Sequence, residues 1–263
     1  MSEIQFRGVS FRLSERDDLP SCFVLGVRKS GSTVLNKMVS ALAIRNGFGV
    51  VDFGRMFQAG MVPKEWRFDR SLASLVRGGN AYLGFRDFPA GLRGDGRFAG
   101  SPKVLLVRDP RDALVSEYFS NAYSHPVPQE GLARKHMLQV RSEALGAPIE
   151  ASVLKSARHM VATMREYAPL LTDPLLKLYR YEDVIFEKRR LLESIGSHFG
   201  WPIDAEAISR ILAWADVVPS EERPTEFIRR VHPGDHREKL SKPAIGELNA
   251  VLADTLRTFG YAC

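Results

Sequence analysis

The sequence predicts an α/β fold: a single domain with a central parallel β-sheet flanked by helices. Two features carry that reading. Short β-branched and leucine runs alternate along the chain with stretches of helical apolar period, the pattern of a sheet covered on both faces. The first clear run, Cys22 to Val27, passes through a glycine-containing turn straight into such a helical stretch. A length of 263 residues suits one domain with a large core, 1–263, and neither a repeat nor a linker divides it.

The elements follow in order. Residues 1–20 are a polar segment without a signal-peptide pattern. After the strand Cys22–Val27, the segment Thr33 to about Arg45 sets Leu35, Met38, Val39 and Leu42 on one helical face, and Gly47 and Gly49 end it. Val50–Phe53 is a short strand, Met56–Asp69 is irregular, and Ser71–Arg77 has helical character. Ala81–Phe85 is a strand that the chain leaves through Arg86-Asp87-Phe88-Pro89. Gly91–Gly100 is glycine-rich and reads as a mobile insertion near the site. The run beginning at Lys103 and ending at Val107 is a buried strand. Asp109 can cap the next helix and Pro110 suits its first turn. Asn121–Pro128 is a loop, Gly131–Leu145 and Ile149–Tyr167 are helices, and Leu175–Tyr179 is a strand. Helices follow at Val184–Phe199 and Asp204–Ala215. Residues 217–242 carry Pro219, Pro224 and Pro233 and form a long functional loop, before a closing helix at Pro243–Phe259.

Composition narrows the class. Hydrophobic content of 44% and charged content of 26% are those of a folded globule. No apolar stretch is long enough to span a bilayer. Only Cys22 and Cys263 occur, which excludes a disulfide scaffold or a thiolate metal site and points to a reducing, cytoplasmic compartment. Cys22 reads as a buried apolar residue. A net charge of +6 favours anionic partners. Zinc-finger spacing and basic stripes interleaved with aromatics are both missing, so nucleic acid is not expected. Lys188-Arg189-Arg190 reads as a solvated helix face.

Chemistry concentrates in two stretches. In FVLGVRKSGSTV (Phe23–Val34) a strand, a phosphate-sized turn and a helix start follow one another. Unpaired N–H groups at a helix N-terminus point outward with positive partial charge and hold an anion. Gly26 and Gly31 have the glycine spacing of a nucleoside-triphosphate loop, but Ser32 stands where that loop needs lysine, and the lysine is Lys29 instead. In KVLLVRDPRDALVSEYFS (Lys103–Ser120), Arg108 and Ser116 lie about two helical turns apart and can converge on one anion. The planar fork of Arg suits phosphate oxygens.

These stretches resemble sulfotransferases that use 3′-phosphoadenosine 5′-phosphosulfate (PAPS). VRKSGST is similar to the family's 5′-phosphosulfate loop and VRDPRDALVSEY to its 3′-phosphate block, in matching order and spacing. YRYEDV (Tyr179–Val184) resembles its Y-E-D strand end, and FIRRVHPGDHREKL (Phe227–Leu240) its late basic loop. The form GVRK is similar to the carbohydrate-directed branch. The resemblance runs from about Cys22 to Leu240 and implies a P-loop-NTPase-like sulfotransferase fold. It implies a PAPS co-substrate, adenosine 3′,5′-bisphosphate as product, no metal requirement, and a hydroxyl acceptor; a saccharide or glycolipid is the first expectation for that acceptor and a small alcohol or phenol the second.

The roles it implies are these. Lys29 neutralises the leaving phosphate, and Ser30, Gly31, Ser32 and Thr33 hold that phosphate, with Arg28 reaching the phosphosulfate. Arg108 and Ser116 bind the 3′-phosphate, Arg229 and Arg230 close over it, and Tyr181 approaches adenine. The base is open between Asp87, which the proline at 89 aligns with the family's catalytic position, Asp52 at the end of the Val50 strand, and a histidine from the late loop, which holds His232 and His236. Asp87 can instead pair with Arg86 or cap a turn. Departures from the family pattern are Val34, where many relatives have tryptophan, Val231 for glycine, and Glu238 for asparagine. The competing readings are a P-loop kinase or NTPase, and a non-catalytic nucleotide-binding protein.

Overall fold

The structure is a computed structural model and describes residues 2–85 and 87–262. Two strands, β1 (Ser2–Phe6) and β2 (Val9–Leu13), form an antiparallel hairpin. The chain continues through β3 (Cys22–Gly26), α1 (Ser32–Arg45), β4 (Gly49–Asp52), α2 (Gly54–Gln58), β5 (Asn80–Leu83), α3 (Gly96–Ala99), β6 (Lys103–Val107) and α4 (Pro110–Phe119). Then come α5 (Gly131–Leu145), α6 (Ile149–Tyr167), β7 (Leu176–Arg180), α7 (Tyr181–Val184), α8 (Lys188–His198), α9 (Ala205–Ala215), α10 (Asp235–Lys239) and α11 (Lys242–Thr258). Strands β3 to β7 make one parallel five-stranded sheet in the order β4-β5-β3-β6-β7. Among the described residues no helix is long and apolar enough to cross a membrane.

Both faces of the sheet are covered, which is why its central strands read as unbroken apolar runs. On one face Phe23, Leu25, Leu105 and Val107 pack with Met160 and Tyr167 of α6 and Leu252 of α11. On the other, Val24, Val104 and Leu106 meet Leu35 and Leu42 of α1, Ile195 of α8 and Ile208 of α9. Helix ends obey local chemistry. The Asp109 carboxylate accepts from Arg111 N–H at the start of α4, and Asp204 accepts from Glu206 and Ala207 at the start of α9.

The structure differs from the sequence expectation in several places, among them two short helices: α2 runs into the stretch expected as irregular from Met56, and α10 lies within the expected late loop 217–242. The polar segment 1–20 contains the β1–β2 hairpin, because Ile4, Phe6, Val9, Phe11 and Leu13 alternate with polar residues; Phe11 packs 5.2 Å from the Phe53 ring. The glycine-rich segment 91–100 contains the short helix α3 and is pinned by Phe98, buried edge-on to Phe23, while most of its other residues are exposed. Lys188 is no solvated residue: it is buried, donating to Ile185 O and to Asp216 at 2.7 Å. The stretch expected as one helix from Val184 is two, α7 and α8. Cys22 is buried as expected, whereas Cys263 lies outside the described residues.

Parallel pairing sends every strand's C-terminal end to one edge. Phe23 pairs with Lys103 and Gly26 with Leu106, so β3 and β6 release Arg28 and Arg108 side by side. Across that edge, β4 delivers Asp52, β5 leads to Asp87, and β7 leads into Tyr181. Ligands of open α/β sheets bind outside such strand ends, where the connections diverge.

Candidate active site

The turn after β3 is held by its own backbone. Ser30 is buried and donates its hydroxyl to Val27 O at 2.6 Å, and Ser30 N–H bonds the same oxygen. Lys29 has φ +63° and Gly31 φ +86°, both left-handed. Only glycine takes that conformation without cost, so Lys29 carries local strain of the kind that collects at functional sites. A side chain at Gly31 would sit a tight 3.1 Å from the Tyr181 ring, so the left-handed backbone, reinforced by that contact, favours glycine there. Helix α1 starts with no side-chain cap, which leaves the first-turn N–H groups to an anion.

Arg108 is buried against this turn. Its guanidinium lies 4.4 Å over the Tyr181 ring, 3.5 Å from Lys29 O and 3.8 Å from the Asp112 carboxylate. Its Nε is buried without a hydrogen-bond partner among the described residues. Such an orphaned cationic donor is costly unless a ligand satisfies it. Ser116 is half-buried on α4, one turn beyond Asp112. Tyr181 donates its hydroxyl to Val231 O at 2.7 Å. Beside the ring lies a gap of about 20 Å³, lined by Gly31, Val34, Leu35, Ile185 and the Lys188 stem.

Asp112 is the residue sequence reasoning missed. It accepts from Gly234 N–H (2.6 Å) and from His236 N–H and Nδ1 (2.9 and 2.6 Å), clamping the late loop to α4. The i, i+4 spacing from Arg108 was its only signal. Burial pushes its pKa up, but the His236 side chain, Arg108 and the two backbone N–H groups outweigh that and hold it at about 2. A depressed carboxylate adds stability above its ordinary value of 3.8, lost as pH falls from there toward 2. The shift corresponds to about 2 kcal/mol. Asp112→Asn should be destabilised by roughly 2 kcal/mol at pH 7, and should lose less stability than the parent between pH 4 and 2. Denaturant midpoints across that range check both.

The other candidates separate. Asp87 is partly buried, with one carboxylate oxygen buried and unbonded among the described residues. Burial raises its pKa, against the opposing pull of Arg28, Arg67 and His159. Arg28 itself pairs with Glu117 at 3.2 Å. Arg86, the alternative partner of Asp87, lies outside the described residues. Asp52 accepts from Gly54 N–H at 2.8 Å and caps the turn into α2, and any side chain at Gly84 would collide with its carboxylate. His236 is engaged by Asp112, while the His232 ring lies 5.1 Å from that of Phe186.

Arg229 and Arg230 do not stand open. Arg229 is buried between Glu222 and Asp235, with its guanidinium 4.1 Å over the Phe119 ring. Arg230 bonds Glu238 at 2.5 Å and lies 3.6 Å from Asp235. Among the aromatics of 56–69 and 91–100, Trp66 and Phe98 are in the core, and Phe68 is 56% exposed with Arg67 4.0 Å above it.

No family model and no curated protein matches this sequence. Solved structures do match. Mouse sulfotransferase SULT7A1 complexed with PAP superposes with a TM-score of 0.55 at 13% identity, over 97% of this chain and 94% of that one. Retinol dehydratase in a complex with retinol and PAP gives 0.50 at 15% identity, over 90% and 81%. The sulfotransferase domain from the curacin biosynthetic pathway gives 0.50 at 14% identity, over 93% and 99%. The chain therefore has the sulfotransferase fold.

Proposed function

We propose that this protein transfers the sulfuryl group of PAPS to an acceptor hydroxyl, on a saccharide or glycolipid. The observation that carries the reading is Arg108: a buried guanidinium with an orphaned Nε, stacked on Tyr181 and set against the anion-binding turn. Arg108 and Ser116 would bind the 3′-phosphate. Ser30, Gly31, Ser32 and Thr33 would hold the 5′-phosphate by backbone N–H and hydroxyl groups, with Arg28 beside the phosphosulfate. Lys29 would neutralise the charge that develops on the leaving phosphate oxygen, as a preorganised cation does in phosphoryl transfer. Tyr181 would meet adenine. The gap beside it has room for about one water, so Tyr181 or Val231 moves to admit a base. No metal enters this scheme.

Asp87 is the favoured base over Asp52, since Asp52 already accepts from Gly54 N–H in a turn, and burial raises the proton affinity of Asp87 above that of an ordinary carboxylate. The kinase reading is disfavoured by Ser32, which stands where the β,γ-phosphate lysine belongs.

Labelled-sulfate transfer from PAPS, screened over glycans, glycolipids and small alcohols and phenols, tests the proposal. Transfer is expected, with a rate that falls below a pKa higher than 3.8 and vanishes in Asp87→Asn. Tight bisphosphate binding without transfer to any acceptor favours a non-catalytic binder. Magnesium-dependent ATP binding favours the kinase.

A further inference from the structure

The late loop carries its own anions. Arg229, Arg230 and Lys239 face Glu222, Asp235 and Glu238, so the six formal charges cancel within the loop. Lys239 bonds Glu222 at 2.7 Å, which makes Glu222 a bridge between two cations. The cluster lies on the α4 face that carries Asp112, Ser116 and Phe119: Arg229 and Lys239 both sit over the Phe119 ring, and Asp112 holds Gly234 and His236. Arg229 is therefore about one helical turn along α4 from Ser116, on the face where the proposed 3′-phosphate would sit. The carboxylates differ in accessibility. Asp235 is fully buried and anchors the loop, whereas Glu222 is 24% and Glu238 56% exposed, so those two can swing away.

We infer that Glu222 and Glu238 compete with the 3′-phosphate for Arg229 and Arg230, and so set the affinity for the nucleotide. The inference rests on the proposed cofactor reading and adds to it residues that weaken binding. An incoming phosphate breaks one set of charge-assisted hydrogen bonds to make another. The net gain is smaller than the arginines alone would give, and product leaves more readily. The competition also discriminates. A nucleotide without a 3′-phosphate has nothing to displace the carboxylates with, so its affinity does not depend on them.

Calorimetric titration of the full chain with adenosine 3′,5′-bisphosphate and with adenosine 5′-monophosphate tests this. Glu222→Gln should tighten bisphosphate binding about tenfold, the worth of one charge-assisted bond, and Glu238→Gln about two- to threefold, since its pair is solvent-screened. Monophosphate affinity should stay within about twofold in both. Glu226→Gln makes the same charge change in the same loop, but Glu226 pairs with Arg223, so it too should stay within about twofold. Bisphosphate affinity unchanged or weakened in both variants, with the parent binding normally, overturns the inference and leaves the cofactor reading intact. An equal gain for the monophosphate, or for Glu226→Gln, overturns it as well, because the effect is then one of net charge. A parent chain that binds no bisphosphate removes the cofactor reading and this inference together.

Discussion

Arg108→Ala should weaken binding of adenosine 3′,5′-bisphosphate by roughly a hundredfold, the loss of two charge-assisted hydrogen bonds from a buried fork. The side chain is already desolvated and held between the Tyr181 ring and Lys29 O, so the ordering cost of a ligand contact is largely met by the fold. Arg108→Lys should recover only part of the affinity, since an ammonium cannot match the planar fork. Because Asp112 loses a neighbouring cation in the alanine variant, thermal unfolding must accompany the titration. Full bisphosphate affinity in a folded Arg108→Ala protein would undo the 3′-phosphate assignment.

Lys29→Ala should lower turnover by two to three orders of magnitude, the usual effect of removing one preorganised group from developing charge. Affinity for PAPS itself should change by no more than about threefold, because the charge Lys29 meets develops only as the bridging bond breaks, whereas the bisphosphate, which carries that charge in full, should bind more weakly. The left-handed backbone supplies a control. At φ +63° alanine keeps the strain and glycine relieves it, so Lys29→Gly should be at least as stable as the parent and equally inactive. Activity retained in either variant would remove the role. A glycine variant more stable than the alanine variant, with both inactive, would show the strain separately from the chemistry.

Much of the frame was legible in the chain. The strands at Cys22 and Lys103, the turn between Gly26 and Gly31, and the helices α5 and α6 follow from local pattern, and their boundaries in the structure agree closely. The placement of the candidate residues at strand ends was legible too, since parallel pairing carries all such ends to one edge. What stayed hidden depends on long-range pairing. Asp112 and His236 are 124 residues apart, and nothing local marks them as partners. The Arg229–Arg230 pair was visible as charge, but its carboxylates come from either side of it, at Glu222, Asp235 and Glu238, and loop packing decides whether such groups meet. Lys188 was misread because a basic triplet looks solvated until Asp216, on the segment after α9, is folded against it.

The order β4-β5-β3-β6-β7 has an evolutionary corollary. On the proposed reading, the nucleotide would be gripped from β3 and the two strands to one side of it, while Asp52 and Asp87 come from the two strands on the other. If that reading holds, segments grafted after β4 and β5 would retool which alcohol is accepted and leave the apparatus for the activated sulfate untouched, so that one scaffold could diversify by halves.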